Sequence, residues 1–337
     1  MTALPFLTRA VPGCGGVFKA SPEDFEVEER PAYEPLGDGE HLFLWVEKRG
    51  RSTQDVAKSL ARALGLEERD VGWAGLKDRQ AVTRQFFSLP AKKAEALVPT
   101  LALPGVTVLS AKRHKNKLKT GHLKGNRFRL VLRGVRDVGA ATAALDELRA
   151  RGVPNYFGEQ RFGVGGDNAA KGKAILQAGG RHRDRFERKL FLSAYQSDLF
   201  NRVLARRLDA GTFTTALRGD VLKKHSTGGE FVCEAPDVDQ PRVDAFEVSP
   251  TGPLFGPQMR APGGEVAAAE AQVLADDGVT PELFRAGGGE TLGARRLLRV
   301  PLTAALEDAG GGVVRLEFEL PAGSYATVVL RELLKDG

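Results

Sequence analysis

The chain has 337 residues, 42% hydrophobic and 27% charged, an ordinary globular composition long enough for two domains. No stretch approaches the ~20 continuous apolar residues of a membrane span, and no basic-then-apolar leader opens the sequence. Cys14 and Cys233 are distant and form no CxxC, which argues against a disulfide framework or zinc site and fits a reducing cytoplasm; the five histidines offer no metal-binding pair, so no metal is expected. Net charge is +6, but unevenly spread. Residues 112–129 hold Lys112, Arg113, Lys115, Lys117, Lys119, Lys124, Arg127 and Arg129 with no acid, and subtracting those eight from +6 leaves −2 on the remainder. Such a run is the footprint of a phosphate-binding surface, or else a solvated lysine-rich loop or guarded sheet edge.

In chain order, 24–29 alternates Phe25 and Val27 with acids and reads as a strand, as does 41–50, closed by Gly50. Residues 52–66 read as a helix: Ser52 and Asp55 form a capping-box pattern, Val56, Leu60 and Leu64 recur every four residues, and Gly65 can end it. Two strands follow, an apolar run from Val71 to Leu76 and a β-rich run ending at Pro90, with Lys77-Asp78-Arg79 between them. Residues 126–134 alternate Phe128, Leu130 and Leu132 with a mostly basic face, and 139–152 is a helix stopped by Gly152. In 153–167 aromatics and glycines interleave, and Asp167 can cap a helix running through Gln177. Another helical stretch starts near Arg181, and 193–211 reads as a helix with Ser193 and Gln196 as its capping box. Residues 219–290 offer only short strand-like pieces, 313–321 is a strand, and 323–335 is a loop entering a terminal helix, with Ser324 a candidate cap. The pattern predicts an α+β fold with a mixed, largely antiparallel sheet.

Nucleotide loops fail on spacing: in 166–173 the glycines stand one residue too far apart, and Ala174 replaces the hydroxyl that would bind magnesium. No G-x-S-x-G elbow occurs. Asp78 lies between two cations, which would hold it ionised if the side chains converge; a solvent-facing charged turn is the commoner local reading. In 153–163, Tyr156, Phe157 and Phe162 alternate with Asn155, Gln160 and Arg161. Stacking faces beside amide and guanidinium groups suit an unstacked base, and an aromatic hairpin in the core fits equally well. Tyr325 adds an aromatic after the last strand.

Six ordered stretches together resemble the TruD-type tRNA pseudouridine synthases: SPEDFEVEE (21–29), GLKDRQAVT (75–83), RHKNKLKTGHLKGNRF (113–128), VPNYFGEQRFGVGGDN (153–168), LSAYQSDLFN (192–201) and LPAGSYATVVLREL (320–333). The resemblance implies isomerisation of uridine to pseudouridine at position 13 of tRNA without a cofactor. It places the catalytic aspartate on Asp78, uracil-site residues on Asn155 and Phe157, a further aromatic on Tyr325, and a basic active-site position on Lys19, with Arg79 the expected partner of Asp78. It also implies a catalytic domain over 1–180 and 299–337 interrupted by an inserted α/β TRUD domain at 181–298. The partner expected is tRNA, with no membrane and no obligate protein partner. A non-catalytic RNA-binding or RNA-chaperone protein on the same scaffold is the alternative.

Overall fold

The computed structural model describes residues 4–335. Its strands are β1 (Phe25–Pro31), β2 (His41–Arg49), β3 (Gly72–Trp73), β4 (Val82–Pro90), β5 (Val106–His114), β6 (Leu123–Arg133), β7 (Val153–Pro154), β8 (Val221–Lys224), β9 (Glu230–Val232), β10 (Val248–Leu254), β11 (Ala294–Leu297), β12 (Arg299–Val300), β13 (Thr303–Gly310) and β14 (Val313–Pro321). Its helices are α1 (Thr53–Ala63), α2 (Ala91–Ala94), α3 (Val138–Arg151), α4 (Asn168–Gln177), α5 (Arg185–Asp209), α6 (Pro236–Asp244), α7 (Gly264–Asp276) and α8 (Ala326–Leu334). The chain divides into two compact bodies.

The first body comprises Gly13–Leu145, Leu302–Gly323 and the chain from Leu333. It is built on one sheet in the order β13-β14-β6-β1-β4-β2-β5, with β3 on β4. Only β1 and β4 run parallel, so the expected mixed, largely antiparallel sheet is what forms. The period-2 alternation sorts its faces. Leu42, Leu44, Val46, Phe87 and Leu89 pack under Val56 and Leu60 of α1, and Phe25, Val27, Phe128, Leu130, Leu316 and Phe318 are also buried. Each such side chain contributes about 1.5–3 kcal/mol by leaving water. On the opposite face the register lines up Glu47, Arg84, Glu28, Arg127 and Glu319, one from each of five strands and alternating in sign. Helix α1 starts as expected, with the Ser52 hydroxyl accepting from Asp55 N (3.1 Å), and Gly65 beyond its end takes φ +62°.

The second body comprises the chain up to Pro12, Asp146–Pro301 and Ser324–Glu332. Its sheet has the order β11-β10-β8-β9, and a separate β7–β12 ladder pairs Val153 with Val300. Tyr195, Leu199 and Val203 of α5 pack with Val273 and Leu274 of α7 and with Phe255 and Phe284. Gly152, at φ +84°, ends α3 where an added Cβ would lie 2.9 Å from Phe246 and 3.0 Å from the Val300 carbonyl.

Four local expectations change. The run from Val71 to Leu76 is a strand only at Gly72–Trp73, so Asp78 lies in a loop rather than at a strand end. The two helical stretches after Arg181 are one 25-residue helix capped by Asp184, whose carboxylate accepts from Glu187 N (2.9 Å); Ser193 is internal and donates to the Leu190 carbonyl instead of capping. The aromatic segment after Pro154 is not a hairpin; it runs irregularly into a single 3-10 turn at Glu159–Arg161. Residues 219–290 hold two helices, α6 and α7, besides their strands.

Candidate active site

In the first body, the loop carrying Asp78 is held by side chains rather than by a ladder. Lys77 N donates to Thr53 Oγ1 (2.9 Å), Thr53 donates to Gln85 Oε1 (2.9 Å), and Gln85 Nε2 donates to the Gly75 carbonyl (3.0 Å). Lys77 Nζ reaches Glu29 Oε2 at 2.6 Å, and both ends of that pair are buried. Burial pushes the Glu29 carboxyl upward, and the Lys77 ammonium opposes the shift. Below the loop, Lys48 is 0% exposed and donates to the carbonyls of Arg51 (2.6 Å) and Asp78 (2.9 Å). Burial pushes the pKa of Lys48 from 10.5 to about 8, with the Asp78 carboxylate acting the other way.

The backbone of Asp78 is thus fixed while its side chain is 38% exposed. Its carboxylate pairs with Lys19 Nζ at 2.9 Å. Lys19 sits at φ +60°, a left-handed conformation costly for a residue with a Cβ, and its ammonium lies 4.0 Å from the centroid of the Phe25 ring. Strain of this kind persists where the surroundings over-determine the backbone. The result is an oriented carboxylate with a cation on one oxygen and open access, the arrangement that a nucleophile or base requires. Arg79, expected as the partner, is exposed and makes no ion pair with Asp78. The cation that meets the carboxylate comes from 59 positions away.

In the second body, Asn155, Phe157 and Tyr325 do come together. The Asn155 side chain donates to the Leu297 carbonyl (2.9 Å), and its Oδ1 accepts from Arg296 Nη2 (2.6 Å) and Ser324 Oγ (3.1 Å). Ser324, before the start of α8, thus ties the α8 entry to Asn155. Arg296 also donates twice to the Asn155 carbonyl, and its guanidinium lies 4.0 Å from the Phe157 ring centroid. Burial pulls Arg296 down to about 10, leaving it a cation at neutral pH. Phe157 is bracketed at its backbone by Asn201, which accepts from Phe157 N (2.9 Å) and donates to its carbonyl (3.0 Å). Tyr325 is half-buried and meets Phe157 edge-on at 6.2 Å. Gly158 allows this closeness: an added Cβ would lie 3.0 Å from Thr327 Oγ1 and 3.2 Å from the Tyr325 ring.

The cations of 112–129 are spread over two strands and the loop between them. Lys112 and Arg113 end β5 and Lys124, Arg127 and Arg129 lie on β6, which is not a neighbour of β5. Arg113 pairs with Glu95, Arg127 and Arg129 pair with Glu317, and Lys117 donates to the Arg69 carbonyl. Lys115 is 4.0 Å from Asp38, while Lys112, Lys119 and Lys124 are exposed without an ion pair among the described residues.

Sequence reasoning missed Lys48 and Arg296. Lys48 carried a signal: it has the parity of Leu42, Leu44 and Val46 and so must face the core. Arg296 carried none, since its partner Asn155 is separated from it by over a hundred residues.

The comparisons with known proteins place the chain among the RNA base-modifying isomerases of the pseudouridine synthase class. The family model for tRNA pseudouridine synthase D (TruD) matches residues 3–182 and 184–333, and the chain belongs to that family. It is 52% identical over 341 residues to the tRNA pseudouridine synthase D of Anaeromyxobacter dehalogenans (strain 2CP-1), covering 99% of this chain and 97% of that one. With a protein of the same name from Thermus thermophilus it is 46% identical, covering 98% and 92%. A crystal structure of a Methanosarcina mazei chain assigned to TruD matches at a TM-score of 0.78 and 25% identity, over 98% of this chain and 96% of that one.

Proposed function

We infer that the chain isomerises uridine to pseudouridine in tRNA, at position 13, with Asp78 as the reacting carboxylate. The ion pair between Asp78 and Lys19, on a loop locked from below, is the observation that supports this most directly. The reaction breaks the C1′–N1 bond, turns the uracil and joins C5 to C1′; C5 gives up its proton to water and N1 takes one up, so product and substrate have the same atoms. Nothing is oxidised or transferred elsewhere, so the chemistry asks for no redox or group-carrying cofactor. Asp78 can open it by attacking C1′, by adding to C6 or by taking the 2′ proton; each route needs an aimed carboxylate, and Lys19 at 2.9 Å orients it. Phe157 and Tyr325 serve as aromatic faces for the uracil, with Asn155 and Arg296 setting their positions. Arg79, exposed beside Asp78, is left for a phosphate contact. The target base leaves its stack at a cost of a few kcal/mol, offset by phosphate contacts. We read 181–298 as the inserted domain and the cytoplasm as the compartment.

The test is tritium release from tRNA labelled at uracil C5. Wild-type protein releases it, and Asp78→Asn binds the same tRNA but releases none. A wild-type protein that binds tRNA without releasing tritium would sink the reading. Free uracil in place of a retained nucleoside would mark a hydrolase.

A further inference from the structure

Residues 181–189, RHRDRFERK, form the turn before α5 and its first residues. Arg188 is committed to Glu290 and to the Gly180 and Gly287 carbonyls. Arg181, Arg183, Arg185 and Lys189 are exposed, and none of the four has a carboxylate within ion-pair distance among the described residues. The segment's own acids are otherwise engaged: Asp184 caps α5, and Glu187 lies 3.8 Å from His182 Nε2. Among these cations Phe186 stands 72% exposed. Arg185 and Lys189 are four residues apart, and Phe186 and Lys189 three apart, so the three share one side of the helix. A lone exposed phenylalanine is ordinary. One set among unneutralised cations matches how proteins hold single-stranded nucleic acid, by stacking on the ring and phosphate contacts beside it. A membrane-surface helix instead needs a continuous apolar face, and Phe186 is the only large, exposed hydrophobic side chain of α5.

We propose that this surface is a tRNA contact in which Phe186 stacks on an unpaired base while Arg183, Arg185 and Lys189 meet the flanking phosphates. It rests on the tRNA reading above and lies outside the residues assigned to the chemistry. The experiment measures the Kd of fluorescein-labelled tRNA across a salt series, together with kcat and KM. Phe186→Ala weakens binding roughly tenfold, and Phe186→Trp keeps it near the wild-type value. The triple variant Arg183→Gln, Arg185→Gln, Lys189→Gln lowers the slope of log Kd against log salt by up to ~3. In both weakened variants KM rises and kcat at saturating tRNA holds. Unchanged Kd and slope overturn the proposal, as does a Phe186→Trp variant as weak as Phe186→Ala. So does loss of binding only to vesicles of phosphatidylcholine and phosphatidylglycerol. Tritium release by wild-type protein separately decides the proposed activity, since Kd reads the contact even where no pseudouridine forms.

Discussion

Lys48 shows how much a single buried side chain can constrain the backbone of the proposed reacting group. With its pKa pushed to about 8, the ammonium is kept where water cannot reach it, and its hydrogen bonds hold the Asp78 carbonyl. The folded chain holds this proton less tightly than the unfolded chain does. The resulting cost to stability is therefore full below about pH 8 and disappears as pH rises toward the ordinary value of 10.5. Lys48→Met removes that titration. Its stability relative to wild type, measured by urea unfolding, is expected to shift in favour of wild type by ~3 kcal/mol over that range. Its kcat falls at unchanged tRNA affinity, because the loop under Asp78 loses its anchor. A flat stability difference across those pH values would refute the burial argument. The catalytic candidate itself was legible because Asp78 lies within a motif of contiguous residues. Its partner Lys19 was placed only by family resemblance, since nothing local in the sequence tells a folded contact across 59 positions.

At the scale of elements, the Lys77–Glu29 pair ties the Asp78 loop to β1 with both charges out of water. Removing one partner of such a pair strands the other, at about 3–5 kcal/mol. Glu29→Gln is thus expected to lower Tm sharply, while Glu26→Gln, on the solvent face of the same strand, moves it little; equal shifts would contradict the assignment. Strands β1, β6 and β14 were readable because alternate residues face a core, whereas β2 and β4 showed as β-rich runs whose burial is continuous over Leu42–Leu44 and Gln85–Leu89. The weakly read stretch after 219 has physical causes. Strand β10 contains Pro250 and Pro253, residues a central strand should reject. It accommodates them because its first half pairs with β8 and its second half with β11, so each half keeps one open edge. Helix α6 has Pro241 in its interior, which removes the helical signature. Ser193 misled for the opposite reason: a sound capping pattern occurred inside a helix already started by Asp184.

Over the whole molecule, charge matters by what remains unpaired. A run of eight cations looks uniform in sequence, but Glu95 after α2 and Glu317 on β14 neutralise part of it. Replacing Lys112, Lys119 and Lys124 with Gln should lower the salt slope of tRNA binding by up to ~3, whereas replacing Arg127 and Arg129 should change it by less than ~1 and reduce thermal stability instead. Anisotropy titrations and thermal melts of the two variants check this, and equal slopes would mean the ion pairs open when RNA binds.

The row formed by Glu47, Arg84, Glu28, Arg127 and Glu319 carries this logic further. Opposite charges alternating at the ~4.8 Å strand spacing cancel one another within the ~8 Å over which salt lets a charge be felt. With three carboxylates to two guanidiniums the stripe does not draw a diffusing polyanion, so its approach is guided by the uncancelled cations elsewhere. Loss of two of its three carboxylates would leave a net cation and give RNA an unproductive landing place. The excess of acid in the stripe is in that sense a form of selectivity, exercised before any contact is made.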